Sequence, residues 1–205
     1  MADLIRGESL VRDEWTWIKL PEAAEPVRKA AGKVVMFKLT GEPAASDAVI
    51  DACEVPATGK VLIPLSVWLR RREDFASRVA VGEIGVWLDS HEEPADLADS
   101  LDGEVNRLPL IGVNFPKFID GRGYSAGFIL RNRYGYRNEL RALGDVLRDQ
   151  MFFFRRTGFD AYLLRADQKP ERCIAALRDF STPYQTSTDG NLPVFRRRIG
   201  QANPA

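Results

Sequence analysis

The rhythm of apolar and polar positions changes near residue 60. Before it, the runs Trp15-Thr16-Trp17-Ile18-Lys19-Leu20 and Val34-Val35-Met36-Phe37-Lys38-Leu39 predict short strands. A Pro/Ala/Glu-rich loop over 21–31 separates them, and a second loose stretch follows over 41–46. After it, apolar runs alternate with helical patterns. Residues 61–65, 84–88, 108–113, 140–143 and 161–164 predict five strands, the first weakened by Pro64. Ser66 is placed to cap a helix with Trp68, Phe75 and Val79 on one face. An acidic helix follows over 94–101, and a third helix over 125–134 puts Ala126, Ile129, Leu130 and Tyr134 on one side. Asp145 is placed to cap a helix whose Val146, Leu147, Gln150, Met151 and Phe154 share a face and which Gly158 ends. Pro170 opens a last helix through Ile174, Leu177 and Phe180.

Strands and helices alternating in this way predict βαβ units, hence a mostly parallel sheet with right-handed crossovers. About five such units fall short of a closed eight-strand barrel, which leaves an open sheet or a half-barrel. Glu139 and Arg141 alternate with Leu140 and Ala142, so one face of that strand is polar. A central strand of a flat sheet is apolar on both faces, so the polar face argues for curvature or for an edge position. The chain thus divides into a small β-rich extension over 1–58, a βα-repeat core over 59–185 and a tail over 186–205, where Arg196-Arg197-Arg198 reads as a solvated terminus.

The bulk numbers narrow the function classes. Acidic and basic residues balance at 29 each over 205 residues, so no global field favours nucleic acid or an anionic membrane. The two cysteines, Cys53 and Cys173, are too few for an iron–sulfur cluster or a Cys-rich zinc site and form no CxxC pair. The first residues lack an apolar signal core and no window has the run of apolar residues a membrane span needs. A cytosolic protein with no nucleic-acid or membrane partner is expected.

In parallel α/β proteins ligands gather beyond the carboxyl ends of the strands. That rule selects Asn114, Lys117, Asp120 and Arg122 after the third strand, Gly144, Asp145 and Asp149 after the fourth, and Arg165 and Asp167 after the fifth. The run Asp120-Gly121-Arg122-Gly123-Tyr124-Ser125 is the richest of these. Gly121 and Gly123 allow close backbone approach, the run opens a helix, and Arg122 and Ser125 add donors, a combination suited to a phosphate, sulfate, sulfite or carboxylate. The plainer alternative is that Asp120 caps the helix and Arg122 is solvated or paired. GxGxxG and GxxxxGKS are both absent.

Arg131, Arg133, Tyr134, Tyr136, Arg137 and Arg141 form a dense Arg/Tyr segment that reads as a solvated face or a docking surface for a protein. His91, the one histidine, lies in an acidic run and reads as a surface-loop residue, with metal binding beside Glu92 or Glu93 as the alternative. Asp145 and Asp149 are spaced for acid–base work or Mg²⁺, against the simpler roles of capping and ion pairing. No metal site is assigned.

The runs Phe115-Pro116-Lys117-Phe118-Ile119-Asp120-Gly121-Arg122-Gly123-Tyr124-Ser125, Leu130-Arg131-Asn132-Arg133-Tyr134-Gly135-Tyr136 and Gly158-Phe159-Asp160-Ala161-Tyr162 resemble a known family. So do Glu139-Leu140-Arg141-Ala142-Leu143-Gly144-Asp145-Val146-Leu147-Arg148-Asp149-Gln150 and Tyr184-Gln185. It is a bacterial family of unknown function encoded beside assimilatory sulfite reductase, whose members are often labelled oxidoreductases of sulfite reduction. The resemblance covers about residues 60–185. It implies a role in sulfur assimilation with sulfite reductase as partner, and carries no established catalytic residues. An oxidoreductase needs a redox centre, and this chain shows no siroheme or iron–sulfur ligand set and no NAD motif. An accessory or oxyanion-binding protein is therefore expected first. An oxidoreductase with an unrecognised cofactor site on the rim comes second, and an unrelated phosphate-binding enzyme third.

Overall fold

The computed structural model describes residues 3–20, 45–190 and 192–198. The strand expected at 34–39 and the loop at 21–31 lie outside these residues, as does most of the stretch at 41–46. Eight strands form one sheet: β1 (Leu4–Arg6), β2 (Ser9–Val11), β3 (Trp15–Trp17), β4 (Lys60–Pro64), β5 (Ile84–Leu88), β6 (Leu110–Phe115), β7 (Glu139–Gly144) and β8 (Ala161–Leu163). The helices are α1 (Asp47–Asp51), α2 (Leu65–Arg71), α3 (Ala76–Ala80), α4 (Pro94–Ser100), α5 (Arg122–Asn132), α6 (Met151–Arg156), α7 (Pro170–Ala176) and α8 (Val194–Arg198).

The strand order is β2-β1-β8-β7-β6-β5-β4-β3. From β3 to β8 all pairs are parallel, and β1 joins β8 antiparallel. The architecture is an α/β half-barrel, mostly parallel, with N-terminal strands at both edges of the sheet. Its curl follows from connectivity. A flat sheet of this size would be about 34 Å wide. Yet β2 at one edge and β3 at the other are joined only by Arg12, Asp13 and Glu14, a link that reaches at most about 14 Å. The two edges must therefore approach each other.

Consecutive parallel strands joined by right-handed crossovers put every helix on the same face. The outer core shows this: Val61, Ile63, Ile84, Val86, Leu88, Ile111, Val113 and Phe115 pack with helix residues such as Trp68, Leu97, Leu130, Phe154 and Cys173. The inner core contains strand residues alone, Leu4, Leu62, Trp87, Leu110, Leu143, Ala161 and Leu163, against Val11, Trp15 and Trp17. Glu139 and Arg141 also point inward. Arg141 is 1% exposed, and its guanidinium bonds both Asp13 oxygens at 2.9 and 3.0 Å and Glu139 at 2.8 Å. The polar face of β7 is thus the concave side of a curved sheet.

Some local expectations change. Pro64 ends β4 in an extended conformation and is itself the N-cap of α2, so Ser66 lies inside the first turn. The expected continuous helix breaks into α2, a 3-10 turn over Arg72–Phe75 and α3. Asp145 caps nothing. The helical segment after β7 starts with Leu147, whose amide donates to Gln150 Oε1 at 2.9 Å, and it ends where Gly158 takes φ +100°.

Candidate functional site

The carboxyl ends of β5 to β8 form a continuous polar rim. β5 is buried along its whole length, and the chain leaves the sheet with Asp89, Ser90, His91 and Glu92. Asp89 Oδ1 accepts the Ser90 amide at 2.7 Å and Asn114 Nδ2, from the end of β6, at 3.1 Å. Glu92 turns back so that its Oε2 accepts the Asp89 amide at 2.7 Å. Burial pushes the Glu92 carboxyl up to about 7, and the nearby Asp89 and Asp96 charges add to the rise against the pull of that amide.

The next contributor is Arg122, the first residue of α5. Its Nε and Nη2 donate to the two Asp120 oxygens at 3.0 and 2.7 Å, and Nη2 also donates to Ser90 Oγ at 2.8 Å. Asp120 Oδ1 accepts the Arg122 amide at 3.2 Å, so a carboxylate of the chain itself occupies the first amide of this helix. The Arg122 hydrogen bonds, helped by Ser90, pull the Asp120 carboxyl down to about 2 against its partial burial. The helix opens three residues earlier than the expected Ser125, which stands exposed in its second turn. The two glycines have different roles from the expected one. Gly121 has φ −87°, a conformation open to any residue. Gly123 is buried, and a Cβ there would lie 2.5 Å from the Phe115 ring, so its role is close packing of α5 on β6.

At the end of β7, Gly144 has φ +87°, and a Cβ would meet the Phe115 carbonyl at 2.5 Å and Asn114 Oδ1 at 2.6 Å. This close approach carries the rim from Asn114 to Asp145, whose amide donates to the Phe115 carbonyl at 2.8 Å. Asp145 Oδ1 accepts Arg165 Nη1 at 3.4 Å, and Arg165 grips Asp167 through Nε and Nη2 at 2.7 and 2.8 Å. The same bonds hold the Asp167 carboxyl well below the usual carboxylate range. Asn114, Asp120, Arg122, Asp145 and Arg165 therefore share one rim. Asp149 is exposed in a 3-10 turn, and because Asp145 precedes the helix the pair has no common helical face. Lys117 is exposed in the loop after β6.

Asp89, Ser90, His91 and Glu92 are rim residues that the sequence reading did not place there, naming His91 and Glu92 only as a surface loop or metal alternative. The strand-end rule identifies them when applied to the strand at 84–88 as well.

The Arg/Tyr segment lies at the opposite ends of the strands. Arg131 is consumed internally, donating to the Gly158, Tyr136 and Asn138 carbonyls at 2.7, 2.8 and 2.9 Å and to Asp160 at 2.8 Å. Tyr136 is buried with its hydroxyl 3.1 Å from the Leu108 and Glu139 carbonyls, and burial pushes its phenol up. Neither is offered to a partner. Arg133 and Arg137 are exposed, and Tyr134 is half-buried with Arg133 stacked 5.6 Å from its ring. Near them a depression of about 410 Å³ is lined by Arg6, Trp15, Lys60, Arg137, Glu139 and Asp160. It lies at the amino ends of the parallel strands, the end that serves stability in parallel barrels.

Among the described residues, no group of three or more His, Cys, Asp or Glu side chains is placed to hold a metal ion. No helix among them is long and apolar enough to cross a membrane.

Fold and rim define an α/β half-barrel protein with a charged, hydrogen-bonded strand-end site. The chain belongs to the family described as bacterial protein of unknown function (DUF934), whose model matches residues 85–195 and so includes all the rim residues from Asp89 to Asp167. No curated protein and no solved structure matches it.

Proposed function

We propose that this protein serves assimilatory sulfite reduction as an accessory that binds a small oxyanion at the strand-end rim and works alongside sulfite reductase. The observation that carries the oxyanion reading is the placement of Arg122 and Arg165 on one rim, each guanidinium oriented by carboxylates rather than free to wander. A guanidinium already fixed loses little further rotamer freedom when an oxyanion arrives. Its carboxylate partners lower the net positive charge, so the expected affinity is weak, on the order of millimolar. The link to sulfite comes from the sequence resemblance of the 115–160 block.

Three experiments test it. Sulfite titrated into the protein is expected to bind with Arg122→Ala weakening the affinity, and sulfite reductase from the native host is expected to co-purify with the tagged protein. A deletion strain that reduces sulfite normally, together with an empty pull-down, overturns the assignment.

A second reading, an enzyme acting on the same rim, draws on Glu92, a carboxyl held near neutrality beside His91 and Ser90. The candidates are an oxidoreductase with an unrecognised cofactor or an enzyme of a phosphorylated substrate. A bound chromophore in protein purified from the native host, or a thermal shift with flavin or NAD(P)H, would favour it.

A further inference from the structure

The depression at the amino ends of the strands carries charge that the fold does not use. Arg6 on β1, Trp15 on β3, Lys60 on β4, Glu139 on β7, and Arg137 and Asp160 in the loops entering β7 and β8 converge on it. Its two carboxylates are committed. Glu139 Oε2 lies 2.5 Å from Arg6 Nη2, and its Oε1 accepts Arg141 Nε at 2.8 Å. Asp160 accepts Arg131 Nη2 and the Leu140 amide, both at 2.8 Å. Lys60 holds Glu14 at 2.7 Å, but both side chains are exposed, and an exposed pair opens at little cost. With Asp13 on Arg141 included, four carboxylates face five cations in this network, and the unmatched cation is Arg137.

Arg137 is exposed, and its guanidinium makes no hydrogen bond or ion pair among the described residues, so stability does not account for it. The backbone that carries it is pinned all the same. The Arg137 amide donates to Asn106 Oδ1 at 2.8 Å, and the Asn138 side-chain amide donates to the Asn106 and Leu108 carbonyls, each at 2.9 Å. A spare guanidinium on a fixed backbone selects an anion. Trp15 adds a half-buried indole, with Lys60 Nζ 6.0 Å from its ring centre. A planar group can stack on such a ring. The volume, about 410 Å³, falls within the range of small-molecule sites, about 300–1,000 Å³. A bare inorganic ion would fill little of it.

We propose that this depression is a second binding site, separate from the strand-end rim, for an organic phosphate that carries a planar ring and is the size of a mononucleotide. Arg137 and Lys60 take the phosphate, and Trp15 takes the ring. The site does not depend on the oxyanion reading of the rim.

AMP titrated into the ¹⁵N-labelled full chain tests it, read at the tryptophan indole N–H signals. The Trp15 signal is the one lost in Trp15→Phe. It is expected to move and saturate with AMP. Ribose 5-phosphate, which keeps the phosphate without the base, should bind at least about fivefold more weakly. Arg137→Ala should weaken AMP by about tenfold with an unchanged urea midpoint, and Arg122→Ala should leave the Trp15 titration as it is. A Trp15 signal that AMP does not move, or equal affinities for AMP and ribose 5-phosphate, overturns the proposal without recourse to any binding variant. So does AMP binding that survives Arg137→Ala or disappears in Arg122→Ala, since it would then belong elsewhere. None of these outcomes touches sulfite binding at Arg122, which is read separately.

Discussion

At Arg122 one guanidinium serves Asp120 twice and Ser90 once, while half of the side chain faces solvent. An ion pair this exposed contributes little to folding, under about 1 kcal/mol. Arg122→Ala is therefore expected to leave the denaturation midpoint nearly unchanged while weakening sulfite or phosphate binding; a loss of several kcal/mol in chemical denaturation would make Arg122 a structural ion-pair member instead. Glu92 presents the opposite case, a carboxyl whose folded-state pKa is raised to about 7. Such a group favours the fold while protonated, and that contribution is lost as pH climbs through 7. Glu92→Gln keeps the oxygen that accepts the Asp89 amide but has no charge to gain. Its stability relative to wild type should thus grow between pH 5 and 9, by about 1–3 kcal/mol. Denaturation midpoints of the two proteins across that range check the slope, and parallel profiles would mean that Glu92 titrates as an ordinary carboxylate.

Among the elements, α5 shows how packing fixes chemistry. Gly123 lets the helix sit directly on Phe115, whose ring also meets Tyr124 at 5.1 Å, Phe154 at 4.8 Å and Phe159 at 5.8 Å. In an open helix Gly→Ala gains up to about 1 kcal/mol. Here the added methyl would stand 2.5 Å from a ring held on several sides, and overpacking of that kind costs about 1–3 kcal/mol. Gly123→Ala is therefore expected to destabilise the protein, read in urea denaturation, and to weaken anion binding by shifting the Arg122 end of the helix. A stabilised variant would show that the ring gives way. The existence and type of α5 are legible in the apolar spacing of Ala126 and Leu130, but the reason for Gly123 is not, because Phe115 is a neighbour only in space. The same limit explains Ser66 and Asp145. Both are good capping residues by type, yet Pro64 already closes the preceding strand, and Gln150 supplies the cap that Asp145, turned toward Arg165, does not.

For the molecule as a whole, the alternation of Glu139 and Arg141 with apolar neighbours was the one sign of curvature legible in the sequence. The closing pieces were not. Leu4–Arg6 and Ser9–Val11 are each three residues long, too short for any period to declare them; the first is placed by pairing with a strand more than 150 residues away, and the second by pairing with the first. The chain passes from β2 to β3 through Arg12-Asp13-Glu14, and at its centre Asp13 clasps Arg141 inside the curl. A fully buried guanidinium tolerates loss of a partner badly, since the remaining charge stays desolvated. Glu139 would still hold one side of it. Asp13→Ala is accordingly expected to cost on the order of 3 kcal/mol, whereas Glu14→Ala, which breaks an exposed pair with Lys60, should leave the stability nearly unchanged. The two residues are adjacent, so the contrast isolates burial from loop disturbance. Hydrogen exchange locates the effect: amides of β1, β2 and β3 should lose protection in Asp13→Ala, while β5 and β6 in the middle of the sheet keep theirs. Equal costs for the two variants, or a loss of protection spread evenly over the sheet, would mean that the link alone holds the edges together and that the Asp13–Arg141 pair does not close the curl.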